Sequence, residues 1–158
     1  MAFIQWNSNL SVNVAAIDGQ HQRLIALINA LNDAMALGKG KEVLSKIINE
    51  LVNYATSHFA LEEKYFDYYK YPEASAHKKE HADFVRKVGE FQNKFNGGMA
   101  GVTLEVMQFL KDWLVKHIQG TDKKYSAFFN AKGLKLTNTQ PSYGGPMPAV
   151  RVNSQKAA

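Results

Sequence analysis

None of the 158 residues is a cysteine, which removes disulfide frameworks, zinc-thiolate sites, iron-sulfur clusters and cysteine nucleophiles together. Any metal must then be held by nitrogen and oxygen. No stretch approaches the roughly 18 uncharged apolar residues needed to span a bilayer, and the opening MAFIQWNSNL lacks a basic segment followed by an apolar run. The expectation is a cytoplasmic protein that does not span a membrane. Proline is also scarce, and three of the four (Pro141, Pro146, Pro148) lie beyond Thr137. There the composition turns to Asn, Gln, Ser and Gly, which reads as an extended or disordered tail over residues 137–158.

What is present suits one ordinary domain. The chain is 46% hydrophobic, enough for a real core at this length, so residues 1–136 are expected to form one unit. The 19 Lys+Arg against 14 Asp+Glu leave a net charge of +5, but the basic residues are scattered without interleaved aromatics. Solvated helix faces account for them better than a nucleic-acid surface does.

Hydrophobic spacing predicts an up-down-up-down four-helix bundle, all-α, behind an N-terminal arm carrying Trp6, Leu10, Val12 and Val14. Asp18 is the expected N-cap of a first helix over residues 18–37, with Leu24, Ile25, Ile28, Leu31 and Met35 inward until Gly38 and Gly40 interrupt. A second helix over residues 41–69 carries Leu44, Ile47, Ile48, Leu51, Ala55, Phe59 and Phe66, and stops before Tyr71 because Pro72 disfavours helix there. Pro72 is expected in the opening turn of the third, whose buried stripe reads Phe84, Val85, Val88, Phe91 and Phe95. NGGMAG, residues 96–101, ends it. The fourth carries Val106, Met107, Leu110, Trp113, Leu114 and Ile118 and continues past Gly120 towards Phe128 and Phe129.

The polar residues on these apolar faces carry the chemistry. His58 and Glu62 stand four apart on the inward face of the second helix, and His77 and His81 repeat that spacing on the third. His21 aligns with Leu24, Ile25 and Ile28, and His117 with Leu114 and Leu110, so every histidine faces the core. Asp122 follows His117 by five residues, which on a regular helix turns it about 140° off that face. A bulge or local unwinding near Gly120 would bring it back. Buried separately, five histidines and two carboxylates would be costly, and a shared metal site satisfies them together. Seven ligands exceed the needs of one ion and suit two six-coordinate ions, if two carboxylates and an oxo or hydroxo group bridge them. Residues 77–81, HKKEH, also match the HxxEH metalloprotease pattern, with Glu80 as base. That reading leaves His21, His58 and His117 unexplained and is rejected. Ferritin-like di-iron enzymes use four carboxylates and two histidines. A site richer in neutral imidazole disfavours the high-valent states that oxidise substrates, so binding without activation is expected, and no enzyme.

IDGQH at 17–21, HxxxE at 58–62, HxxxH at 77–81 and HxxxxD at 117–122, within the strings HFALEEKYF, YPEASAHKKEH and WLVKHIQGTDKKY, closely resemble the hemerythrin family, including its single-domain bacterial branch, over roughly residues 1–133. The resemblance implies two iron ions per chain. His77, His81 and His117 would hold a coordinatively filled iron, His21 and His58 a second with an open position, and Glu62, Asp122 and an oxo or hydroxo group would bridge. Dioxygen would bind at the open position. Phe59, Trp113, Leu114 and Ile118 match positions that wall the oxygen pocket, while Gln119 is polar where many relatives are apolar. The function so implied is reversible dioxygen binding for carriage, storage or delivery to an oxygen-consuming enzyme. The alternative is an oxygen or redox sensor signalling through a partner surface or the tail, and a peroxidase or nitric-oxide-handling enzyme ranks below both. The sequence is silent on oligomeric state.

Overall fold

A computed structural model describes residues 2–98 and 104–133 of the chain. Helices α1 (Ala15–Ala36), α2 (Lys41–Tyr69) and α3 (Ala74–Asn96) precede a fourth rod made of α4 (Leu104–Lys116), a π-helical turn (His117–Asp122) and α5 (Lys123–Ala131). α1 packs on α2, α2 on α3, and α1 also on α4. Phe84 of α3 meets Trp113 of α4 at 4.2 Å between ring centres, closing the four rods into an up-down-up-down bundle. No strand occurs among the described residues. No described helix is long and apolar enough to cross a membrane. The 137–158 tail and the end of NGGMAG lie outside the described residues.

The anticipated stripes form the core. Leu24, Ile25, Ile28, Leu31, Ile48, Leu51, Ala55, Phe66, Val88, Leu110 and Leu114 are all buried, as are Leu10, Val12 and Val14 of the arm. The arm is fastened to α1 by Asn29, whose side chain accepts from the Ile4 N–H at 2.8 Å and donates to the Ile4 carbonyl at 2.9 Å. Gly38, at φ 68°, takes the left-handed conformation that ends α1 and lets Lys39 N–H return to the Ala34 carbonyl at 3.0 Å.

Three local expectations are corrected. α1 starts at Ala15, so Asp18 lies within its first turn instead of capping it. There its carboxylate accepts from Val12 N–H at 2.8 Å and from the Ser11 hydroxyl at 2.5 Å, because the arm folds back over the helix end. Pro72 sits in the turn before α3, after Lys70 has closed α2 in the left-handed region at φ 55° and Tyr71 N–H has bonded back to Phe66. Val85 is 38% exposed, since the buried face of α3 is narrow and runs through His77, His81, Phe84, Val88 and Phe95.

Candidate metal centre

All seven polar residues anticipated on the inward faces converge at mid-bundle. His21, His58, Glu62, His77, His81, His117 and Asp122 are buried and come from every rod. The π-helical turn explains how the five-residue step from His117 to Asp122 returns to the same side. Widening one turn makes residues five apart neighbours, and His117 Nε2 lies 3.0 Å from Asp122 Oδ1. The local unwinding expected near Gly120 is thus a full π turn.

The carboxylates are arranged alike. Glu62 turns Oε1 towards His81 Nε2 at 3.1 Å and Oε2 towards His58 Nε2 at 3.4 Å. Asp122 turns Oδ1 towards His77 Nε2 at 2.9 Å and Oδ2 towards His21 Nε2 at 3.1 Å. Two ligand groups result, within each of which the donor atoms lie within 4.8 Å of one another. One contains His77, His81 and His117, the other His21 and His58, and Glu62 and Asp122 belong to both.

Hydrogen bonding among these residues is incomplete in a way that points to cations. Despite the short distances, His21 Nε2, His81 Nε2, Glu62 Oε1 and both Asp122 oxygens have no aligned hydrogen-bond partner among the described residues. Each such buried orphan costs about 1–3 kcal/mol, so their concentration at one point is improbable unless something else satisfies them. His77 Nε2 and His117 Nε2 face each other at 3.1 Å. Metal bonds to nitrogen and oxygen of about 2.0–2.2 Å keep ligand atoms within about 4.4 Å of one another, close to the spacing found. The residues present fit a pair of metal ions.

Electrostatics without metal shows the same tension. Burial opposes a charge on His21, but the adjacent carboxylates of Asp122 and Glu62 outweigh it and raise the pKa to about 9. For His117 the same contest, won mainly by Asp122, also moves the pKa up. Burial wins at His58, whose pKa falls. Glu62 is held well below the carboxylate range despite burial, by His58, His21 and His81. Asp122 is held below it against burial and against Glu62, by His117 and His21.

A supporting ring holds these side chains, and sequence periodicity gave no notice of it. His58 Nδ1–H donates to Gln20 Oε1 at 2.7 Å, His81 Nδ1–H to Glu63 Oε2 at 2.9 Å, and His117 Nδ1–H to Glu80 Oε1 at 2.8 Å. Each leaves the lone pair of Nε2 pointing inward. Thr121 Oγ1 donates to Glu80 at 2.9 Å, and the Tyr125 hydroxyl donates to Glu62 Oε2. Glu80, the would-be base of HxxEH, therefore lies outside the cluster and steadies a histidine of another helix. Each of these residues adjoins a cluster member in sequence, or follows one by three residues. That adjacency was the available signal.

Of the apolar residues, Phe59 stacks on His81 at 3.9 Å and 9°, and Trp113 on His117 at 4.3 Å and 12°. Leu114 and Ile118 are buried on either side of His117 along the rod, whereas Gln119 is exposed and does not line the cluster.

A four-helix bundle with two carboxylates shared between two histidine groups defines a class of metal-binding bundle proteins. The hemerythrin HHE cation binding domain matches residues 12–129, and the chain belongs to the hemerythrin family. It is 38% identical over 125 residues to a bacteriohemerythrin of Pseudomonas paraeruginosa, covering 79% of this chain and 80% of that one. To a bacteriohemerythrin of Methylococcus capsulatus it is 34% identical over 132 residues, covering 83% of this chain and all of the relative. A crystal structure of wild-type hemerythrin superimposes with a TM-score of 0.77 at 33% identity, covering 80% of this chain and 97% of that one.

Proposed function

We propose that this protein binds dioxygen reversibly at a non-haem di-iron centre and serves as an oxygen carrier or store. One observation carries the reading. Each of Glu62 and Asp122 offers one oxygen to the three-histidine group and the other to the two-histidine group. With both carboxylates shared, the group of His21 and His58 has one protein ligand fewer than the group of His77, His81 and His117. That shortfall is the natural place for an exogenous ligand. His21, His58, His77, His81, His117, Glu62 and Asp122 would hold a ferrous pair, which would lend dioxygen two electrons reversibly.

The chain's own residues confine and orient. Gln20, Glu63 and Glu80 fix the ring tautomers of His58, His81 and His117 so that the Nε2 of each faces inward, and Tyr125 holds Glu62 by its hydroxyl. Phe59, Trp113, Leu114 and Ile118 form the apolar wall of the proposed oxygen pocket, keeping water from the buried carboxylates. Only two of the seven ligands are carboxylates, and this donor set favours binding over oxidation of a substrate, so we read the protein as a binding protein of the cytoplasm that serves an oxygen-consuming enzyme.

The test is gas cycling of anaerobically ferrous-loaded protein, followed optically. Charge-transfer absorption that appears in air and vanishes on deoxygenation over repeated cycles is expected. Absorption that never appears, or that persists after the first exposure, would sink the carrier reading.

A further inference from the structure

The supporting ring is electrically lopsided. In the three-histidine group, His81 and His117 each donate Nδ1–H to a carboxylate, Glu63 and Glu80, at 2.9 and 2.8 Å. In the two-histidine group, His58 donates instead to the neutral amide of Gln20 at 2.7 Å, while one Nδ1 in each group, that of His21 and that of His77, has no hydrogen-bond partner among the described residues. Both carboxylates touch the outer edge of buried rings while remaining partly in solvent, Glu63 at 32% and Glu80 at 45% exposure.

From this asymmetry we infer that Glu63 and Glu80 are positioning residues that set the electron affinity of the centre, stabilising positive charge on its three-histidine half. The inference rests on the di-metal reading above. An imidazole whose Nδ1–H donates to an anion is a stronger donor at Nε2, and a nearby anion favours the more highly charged state of a bound ion. The four carboxylates Glu62, Asp122, Glu63 and Glu80 together balance two divalent cations. Oxidation by two electrons, taken up by dioxygen, adds two positive charges to the centre, and they are met mainly from the side where Glu63 and Glu80 stand. The reverse step returns two electrons, supplied in the test by dithionite, and converts the diferric centre to the diferrous one.

The double variant Glu63→Gln/Glu80→Gln separates charge from geometry. An amide oxygen can still accept the imidazole N–H, as Gln20 does for His58, while two negative charges disappear. In a mediated dithionite titration, the ratio of diferric to diferrous protein at a fixed solution potential is expected to fall at least about tenfold relative to wild type. Cobalt(II) titration of the metal-free protein gives a reading independent of oxygen and of iron redox chemistry. One of two cobalt equivalents should bind about 10- to 100-fold more weakly in the double variant, with the other unchanged.

Glu90→Gln is the charge control. It removes an exposed carboxylate of α3 that pairs with Arg86 and touches no histidine, and it should not move the ratio. A double variant that holds two irons with an unshifted ratio, equal weakening of both cobalt equivalents, or a Glu90→Gln shift as large as that of Glu80→Gln would each overturn the inference. Should the double variant fail to fold, Glu63→Gln and Glu80→Gln taken singly must each shift the ratio in the same direction. Helical single variants that hold no iron would also overturn it, because the carboxylates would then be retaining the ions and not tuning them. A wild-type protein that takes up fewer than two ions fails earlier, at the di-metal reading, and takes the inference with it.

Discussion

Tyr125→Phe isolates a hydroxyl that reaches a shared carboxylate from outside the ligand set. Tyr125 is fully buried, and its hydroxyl donates to Glu62 Oε2 while its ring lies 5.5 Å from that of His77 at 18°. Burial, reinforced by the charges of Asp122 and Glu62, pushes the phenol well above its ordinary pKa, so it remains a protonated donor at neutral pH. The substitution keeps the ring and its packing and removes only the donor. Glu62 Oε1 has no hydrogen-bond partner among the described residues, so losing the Oε2 partner strips a buried carboxylate further. A hydrogen bond to a charged group contributes about 1.5–3 kcal/mol. At about 2–4 °C per kcal/mol for a domain of this size, the metal-free variant should melt about 3–12 °C lower. Denaturant unfolding of the metal-free protein gives the free energy directly. Tyr68→Phe, at a phenol 53% exposed, is the control and should change stability by less than about 0.5 kcal/mol. A Tyr125→Phe loss no larger than that of Tyr68→Phe would show that the hydroxyl does not stabilise Glu62.

Replacing Glu62 or Asp122 by Ala removes an oxygen from each ligand group at once, so either variant should lose the ion pair and the thermal stability that metal binding adds. Iron analysis showing two ions retained would disprove the shared-carboxylate assignment. Leu114→Ala leaves all seven ligands in place but opens the proposed pocket wall, costing about 2–5 kcal/mol and speeding autoxidation of the oxygenated protein. Leu51→Ala, which borders a separate apolar cavity of about 450 Å³, should destabilise without faster autoxidation, and equal autoxidation in both would make general loosening the cause. The raised pKa values of His21 and His117 predict a loss of stability in the metal-free protein as pH rises. Protonated histidines that gain carboxylate partners on folding stabilise fully below about 6.5, and for His21 this contribution vanishes as pH climbs through about 9. His58, with its lowered pKa, is neutral in both states across that window and does not offset the loss. Iron loading displaces those protons, so melts of loaded protein should not show the alkaline decline, and matching curves would contradict the assignment.

Where a local rule decides an element, the sequence was a sound guide. The bounds of α2 follow from Gly40 before it and Pro72 beyond it, and they coincide with Lys41–Tyr69. The awkward five-residue step from His117 to Asp122 demanded an irregular turn, and the helix is π-wound there. The HxxxE spacing from His58 and the inward stripe together select Glu62 over its neighbour Glu63, and it is Glu62 that joins both ligand groups. Contacts made across helices were less legible. The roles of Glu63 and Glu80 depend on which histidine of a neighbouring rod comes within 3 Å, and that of Tyr125 on the rotation of α5 after the π turn. Periodicity assigns a residue to a face, but it does not say how far its side chain reaches. Asp18 failed as a cap for a related reason, since the arm folding back over α1 supplies its partners from outside the helix.

In the proposed centre, two ions share Glu62 and Asp122 and together bind one dioxygen. Iron content and dioxygen uptake measured on the same anaerobically loaded sample test it most directly. Two irons per chain, one for each ligand group, and one dioxygen taken up per pair are expected. One iron per chain, or two irons with no dioxygen uptake, would contradict it.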